Sequence, residues 1–453
     1  MTVAGGTPSS GSAMSARVTA VLERLFDRQG QTARILNVTD ARRIAKKMLP
    51  AVVFDYIDGA ADDENTMRQN EAAFADVTFR PRMGMGAAPP DLSTTVLGTP
   101  IAMPVMLAPT GLIRLMHPDG AAGAARAAAS RGTVSVLSTV AGSPIDEVAP
   151  EAPGRVWFQL YAAGGRRDAD RLLGKVEQAG VDVLVVTIDT PALGNRERDR
   201  RHGVTVPLRL DARNAVHLGP QVLFKPLWTA RMARDGIRMF QRPKPVSDPA
   251  TALPRAGGAT GADGVADAGA AGAAEGASGA EAAAAVEGPG GADQAPSGFG
   301  MLSMVASPFT WSDIEWLRQR WSGKLVTKGV LTAADATRAV VAGSDAVVIS
   351  NHGGRQLDSA PATLRVLPEV VEAVGAQAEV LLDGGIRRGS DVVKAVALGA
   401  RAVFIGRPYL FGLAAGGQSG VELVLDLFRD DLIRTMVLLG CTSVAELGPD
   451  YLF

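Results

Sequence analysis

Between Ser350 and Asp358 the chain reads Ser-Asn-His-Gly-Gly-Arg-Gln-Leu-Asp, which sets an imidazole and a guanidinium three residues apart. The segment follows directly on the apolar run Asp345-Ala-Val-Val-Ile349. A histidine exchanges a proton near neutral pH. An arginine holds a carboxylate by a two-point charged hydrogen bond. His352 and Arg355 together therefore suit proton abstraction from a small acid. The chain has 4 histidines, so few imidazoles compete for that role. The plain alternative is a solvated surface turn relaxed by Gly353 and Gly354.

The elements that would position these groups are legible as a repeat of type. Short apolar runs occur at 104–108, 133–137, 155–160, 183–188, 324–327, 345–349, 379–382 and 402–405. Runs of this length suit strands buried on both faces of a parallel sheet. Helix-like segments separate most of them, at 119–131, 168–178, 332–341, 364–374 and 390–398. Thr332 and Ser390 stand as expected N-caps. Strands alternating with helices predict an α/β fold, a (β/α)8 TIM barrel. A doubly wound open sheet is the runner-up, but no Gly-x-Gly-x-x-Gly follows an early strand. Residues 206–306 form a long insertion between strands four and five. Its part from about 249 to 297 is nearly all Ala and Gly with scattered Asp, Glu and Pro, and is expected to be disordered. Residues 1–40 read as an extension, disordered over its first 15 or so residues, and 41–448 as the barrel.

In such a barrel the chemistry sits at the C-terminal ends of the strands. Those ends carry Thr110, Ser138, Gln159 with Tyr161, Thr187 with Asp189, Lys328, the Ser350–Arg355 motif, Asp383-Gly384-Gly385 with Arg387, and Gly406-Arg407. The loops after strands seven and eight are the usual phosphate pocket. Gly384, Gly385 and Gly406 free backbone N–H groups for an anion there, and Arg387 and Arg407 add charge. Ser138, Gln159 and Thr187 are short hydrogen bonders suited to the heteroatom edge of a flat cofactor. Lys328 could stabilise a ring that gains electrons, or could serve only as an ion pair within the barrel.

Bulk properties exclude other classes. The 46 basic and 47 acidic residues leave a net charge of −1, which gives no electrostatic case for a nucleic-acid partner. The single cysteine, Cys441, rules out an intramolecular disulfide and makes a cysteine metal site unattractive; this suits a reducing cytoplasm. No window reaches the roughly 18 apolar residues of a spanning helix, and the N-terminus lacks a secretory core segment.

Over residues 41–205 and 307–447 the sequence resembles the FMN-dependent L-2-hydroxy acid dehydrogenases and oxidases: glycolate oxidase, L-lactate dehydrogenase, mandelate dehydrogenase and the flavin domain of flavocytochrome b2. The motifs that carry the resemblance are Phe54-Asp-Tyr-Ile-Asp-Gly-Ala-Ala-Asp-Asp63, Ala108-Pro-Thr110, Phe158-Gln-Leu-Tyr161, Thr187-Ile-Asp-Thr-Pro191, Lys328-Gly329, Ser350–Asp358, Asp383-Gly-Gly-Ile-Arg-Arg-Gly389 and Phe404-Ile-Gly-Arg-Pro408. The resemblance implies FMN as cofactor, a homotetramer, and oxidation of an L-2-hydroxy acid to the 2-oxo acid, with lactate the default substrate. It makes His352 the active-site base, oriented by Asp189. It gives the substrate carboxylate to Arg355 and Arg196, helped by the hydroxyls of Tyr56 and Tyr161. Thr110, Ser138, Gln159 and Thr187 would bind the flavin ring, with Lys328 at its electron-accepting edge and Ser350 beside the cofactor. Asp383, Gly385, Arg387, Gly406 and Arg407 would bind the ribityl phosphate region. Hydride transfer and α-proton removal would use the same base beside the same anchor.

Four departures shape the remaining expectations. About 40 residues precede the resemblance, with no histidine before His117, so a fused haem domain is not expected. Gly111, where glycolate oxidase-like members tend to carry Ala, resembles the dehydrogenases and favours a quinone or other acceptor over O2. Val140 stands in place of a bulky aromatic ring and enlarges the substrate side, with Leu193 expected as a second wall. Residues 222–240 mix Trp, Phe and Met with Lys225, Arg231, Arg234 and Arg238, a composition suited to an interfacial helix on an anionic membrane or to a helix packed on the barrel. Competing classes are isopentenyl-diphosphate isomerisation or dihydroorotate oxidation on a similar FMN barrel, and a non-catalytic flavin-binding module.

Overall fold

The computed structural model describes residues 34–85, 88–161, 165–201, 219–221, 223–239 and 309–453. The stretches expected to be disordered, residues 1–15 and 249–297, lie outside the described residues. A hairpin of β1 (Thr94–Val96) and β2 (Thr99–Ile101) precedes eight parallel strands. These are β3 (Val105–Leu107), β4 (Ser135–Ser138), β5 (Val156–Leu160), β6 (Val183–Thr187), β7 (Lys324–Val330), β8 (Ala346–Ile349), β9 (Glu379–Asp383) and β10 (Ala402–Ile405). They close in the order β10-β3-β4-β5-β6-β7-β8-β9, so β10 pairs with both β9 and β3. Every expected apolar run forms a barrel strand, because both faces of each strand are covered.

Two apolar clusters explain that pattern. The inner one fills the barrel with Met106, Val136, Val185, Val326, Leu381 and their neighbours. Trp157 meets Phe404 there edge-on at 6.3 Å and 73°, a contact worth about 0.5–1.5 kcal/mol beyond the area it buries. Val96 and Ile101 of the β1–β2 hairpin join this cluster and close the N-terminal mouth. The outer cluster lies between the strands and the surrounding helices.

The helices Gly120–Ser130, Gly165–Gln178, Ala333–Val341, Thr363–Val374 and Gly389–Ala397 fall where the sequence places them. Thr332 does cap its helix, accepting from the Asp335 N–H at 3.0 Å. Ser390 does not cap: the N-cap position is Arg388, and Ser390 lies inside the first turn. The first amides are instead satisfied by Asp391, which accepts from the N–H groups of Arg387 and Arg388, and by Asp431, which accepts from Gly389 at 2.8 Å. Asp431 comes from the distant helix Gln418–Leu439, so no local signal announces it.

The helix Pro226–Met239 packs on the barrel through part of its length. Leu227 and Arg231 are buried, and the Trp228 indole donates to the Leu115 carbonyl at 2.8 Å. Lys225 donates to the Lys47 carbonyl at 2.6 Å. Trp228 and Arg231 therefore face protein, as the packed-helix alternative expects. Leu223 and Phe224 are 76% and 78% exposed.

Candidate active site

The C-terminal ends of the barrel strands converge on a cavity that is partly open to solvent. Its wall takes in Tyr56, Thr110, Ser138, Tyr161, Thr187, Arg196, Lys328, His352, Arg355, Asp383, Gly385, Arg387, Gly406 and Arg407. Gln159 and Ser350 lie just behind it. Ser138 Oγ donates to Gln159 Oε1 at 2.6 Å, and Lys328 Nζ donates to Ser350 Oγ at 2.7 Å. Val140 lines the cavity together with Gly111, but Leu193 does not.

His352 follows β8 with φ of 57°. A non-glycine residue in this left-handed region is strained by about 1–3 kcal/mol and needs surrounding structure to hold it. Its Nδ1 lies 3.1 and 3.2 Å from the two carboxylate oxygens of Asp189, which leaves Nε2 as the outward nitrogen. Burial pulls the imidazole pKa below its ordinary value; Asp189 opposes this, while the cations Lys328 and Arg196 add to it. Burial would raise Asp189, but His352 and Lys328 outweigh it and hold the carboxyl below the usual range. The resting pair is thus a neutral imidazole on a carboxylate.

Arg355 Nη1 donates to the carbonyls of Tyr56 at 2.6 Å and Gly59 at 2.9 Å, and the guanidinium lies 5.0 Å from the Tyr56 ring centre. Its Nη2 has no partner among the described residues. Arg196 donates from Nε to the Arg355 carbonyl and from Nη2 to Gln356 Oε1, both at 3.3 Å. Burial, then the neighbouring Arg355, brings Arg196 down to about 10, so it stays charged at neutral pH. Burial, then Asp189, pushes the Tyr161 phenol up, so it stays protonated.

Lys328 forms a buried ion pair with Asp383 at 2.9 Å. Burial would lower the ammonium, but Asp383 and Asp189 outweigh it and keep it charged. Among the residues expected to hold the phosphate, Arg387 pairs with Glu71 at 2.8 Å. Arg407 donates to the carbonyls of Ile57, Gly353 and Gly59; burial, then Arg355 and Arg387, lowers it to about 9. Gly385 has φ of +82°, and a Cβ there would lie 2.1 Å from the Asn70 carbonyl oxygen, so only glycine fits this turn.

Some contributors carried no readable signal. Gln356 Nε2 donates to the carbonyls of Asp189 and Ala192 while its Oε1 accepts from Arg196, tying two loops together. Asn70 and Asn351 exchange reciprocal amide hydrogen bonds at 2.8 Å, fixing the residue before His352. Gln356 and Asn351 stand inside the motif, yet only their contacts reveal these tasks.

A sequence model described as FMN-dependent dehydrogenase matches residues 45–453. The chain belongs to that family. It is the family of 2-hydroxy acid dehydrogenases and oxidases to which the motifs pointed, and its cofactor is FMN. Pre-mycofactocin synthase of Mycolicibacterium smegmatis is 40% identical over 416 residues, covering 91% of this chain and 92% of that protein. Glycolate oxidase 5 of Oryza sativa subsp. japonica is 38% identical over 413 residues, covering 91% and 94%. Among solved structures, the monotopic membrane protein (S)-mandelate dehydrogenase superposes with a TM-score of 0.76 at 34% identity, covering 93% of this chain and 99% of that one.

The residues of this FMN-dependent dehydrogenase fit the cofactor. Gln159 Nε2 and Asp383 Oδ1 are buried without a hydrogen-bond partner among the described residues. Leaving such groups unmade costs about 1–3 kcal/mol each, which a polar cofactor would relieve. At the other end of the cavity, the glycine turn, Arg387, Arg407 and the N-terminus of the helix Arg407–Gly416 make a site for a phosphate anion.

Proposed function

We propose that this FMN-dependent dehydrogenase oxidises an L-2-hydroxy acid to the 2-oxo acid, with L-lactate the first expected substrate and His352 the base. The observation that carries the reading is the His352 Nδ1–Asp189 contact at 3.1 Å beside two arginines, Arg355 and Arg196, on one cavity wall. Bound FMN supplies a two-electron acceptor. Arg355 and Arg196 grip the substrate carboxylate, and the phenols of Tyr56 and Tyr161 add hydrogen bonds to the same end of the acid. His352 Nε2 takes a proton from the substrate, and Asp189 stabilises the imidazolium that results. Ser138, Gln159, Thr187 and Thr110 hold the ring of the cofactor, with Lys328 and Ser350 at one edge. Asp383, Gly385, Arg387, Gly406 and Arg407 hold its ribityl phosphate. A diphosphate substrate would not need a base beside two carboxylate anchors, and a non-catalytic module would not need the intact His352–Asp189 pair.

A second reading, a larger acid such as L-mandelate, is favoured by the small wall of Gly111 and Val140. The same Gly111 supports an acceptor other than O2. We also propose a homotetramer, and peripheral membrane contact through 222–240 narrowed to the exposed pair Leu223–Phe224. No helix among the described residues is long and apolar enough to cross a membrane.

The test is anaerobic flavin bleaching with L-lactate, D-lactate, L-mandelate and glycolate added separately. Bleaching by an L-acid and not by its D-isomer is expected, and the speed of recovery in air then separates oxidase from dehydrogenase. His352→Ala is expected to slow bleaching by about 10²–10⁴-fold. Bleaching at the unaltered rate would remove His352 as the base.

A further inference from the structure

The two proposed carboxylate anchors come from loops far apart in sequence, and one short segment, residues 55–64, holds both. On one side it fixes Arg355 through the Tyr56 and Gly59 carbonyls. On the other it fixes the loop that carries Arg196. Arg198, in the short helix Glu197–Arg201, donates to Asp58 Oδ2 at 2.9 Å and to Glu64 Oε2 at 2.5 Å. Asp58 is 3% exposed and also receives Nε and Nη2 of Arg42, so its carboxylate is bracketed by two guanidiniums. Asn195 adds a third tie: its amide donates to Asp62 Oδ1 at 2.8 Å, and its carbonyl accepts from the Asp62 N–H at 2.9 Å. The approach of the Arg196 loop to the His352 loop is equally close. A Cβ on Gly194 would lie 2.3 Å from the Arg355 carbonyl oxygen.

Arg198 does not line the cavity, so it has no direct task on substrate. Its ionic partners are specific and mostly buried, unlike those of Arg201, which pairs with Glu197 of its own short helix at the surface. We propose that Arg198, clasped by Asp58 and Glu64, is a positioning residue that holds the loop carrying Arg196 against the segment that holds Arg355, so that both guanidiniums meet one substrate carboxylate. The inference rests on the reading of Arg196 as a carboxylate anchor. A displacement of such a group by about 1 Å is enough to weaken its grip strongly.

The experiment is anaerobic stopped-flow reduction of the holoenzyme by the best L-2-hydroxy acid, which separates half-saturating concentration from limiting rate. Arg198→Gln is expected to raise the half-saturating concentration about 10-fold or more, to change the limiting rate much less, and to leave flavin content intact. Arg198→Lys should recover part of the loss, since one ammonium can still reach Asp58 or Glu64. In an Arg196→Met background, Arg198→Gln should add nothing further, because a residue that acts through Arg196 is silent once Arg196 is gone. An additive effect there overturns the clasp. So does Arg198→Gln with unaltered saturation while Arg196→Met saturates poorly, or a loss of flavin and thermal stability without a change in saturation. If Arg196→Met itself saturates normally, the anchor reading fails instead. Should Arg198→Gln not fold, Glu64→Gln opens one arm of the clasp and is read in the same way.

Discussion

The proton-accepting power of His352 is a balance of burial against one carboxylate. Burial is the larger effect, and Lys328 and Arg196 reinforce it, so the folded-state pKa lies below the ordinary value despite Asp189. The sign for catalysis follows. The neutral, proton-accepting form persists as pH falls to about 6.5, the unperturbed histidine value, and is lost only below it. The pH profile of kcat/KM for the L-acid is therefore expected to be flat from neutrality down to about 6.5 and to fall below that with one acid limb. An acid limb centred above neutrality would mean that Asp189 dominates. The same shift costs stability in acid: an unfolded histidine binds its proton first, so this group lowers stability as pH falls through about 6.5 toward the folded value. Lys328 is a different balance, a buried cation kept charged by Asp383 and Asp189.

At the scale of elements, the cavity depends on loops that could not close with ordinary side chains. The turn after β9 passes so near the helix Asn65–Asp76 that the Asn70 carbonyl occupies the space of any Cβ on Gly385. Its positive φ adds a backbone penalty of about 1–2 kcal/mol for an L side chain. Gly385→Ala is expected to move that turn, and with it the proposed phosphate site, weakening FMN binding about 10-fold or more. Fluorescence titration of the apoprotein with FMN checks this independently of turnover. Unaltered affinity would show that the phosphate is held elsewhere. The helix cap at Gly389 makes the same point from the other side. The expected local Ser390 cap is replaced by Asp431, because tertiary packing brought a better acceptor to the amide.

For the whole molecule, the described residues form a barrel whose two ends do different things. The N-terminal mouth is closed by Val96 and Ile101 of the β1–β2 hairpin. The C-terminal mouth gathers Lys328, Arg196, Arg355, Arg387 and Arg407 on one wall system, so it attracts anions at both of its ends. Outside the barrel, Leu223 and Phe224 are exposed ahead of a helix whose Leu227 and Trp228 already pack inward. If they enter a lipid surface, each contributes about 1.5–3 kcal/mol. The double replacement Leu223→Ser with Phe224→Ser is expected to lower sedimentation with anionic vesicles about 100-fold in partition while flavin bleaching in solution is unchanged. Equal sedimentation of both proteins would place any membrane contact elsewhere.

The eight strands, their order of types with the helices, and the ionisable groups at their ends were set by the sequence alone. Each follows from a local rule: a run of Val, Ile and Leu must be buried on both faces, and a polar residue just past it must stand at the strand's end. The motif around His352 was legible for the same reason, since its chemistry is contained in nine consecutive residues. What only the tertiary structure decided is which of these groups touch. Asp189 and His352 are 163 positions apart, Arg198 and Asp58 are 140, and Asn70 and Asn351 are 281. No periodicity encodes such pairs. Closing the barrel brings distant strand ends onto one rim, and desolvation there makes each carboxylate, amide and cation depend on the partner that packing supplies.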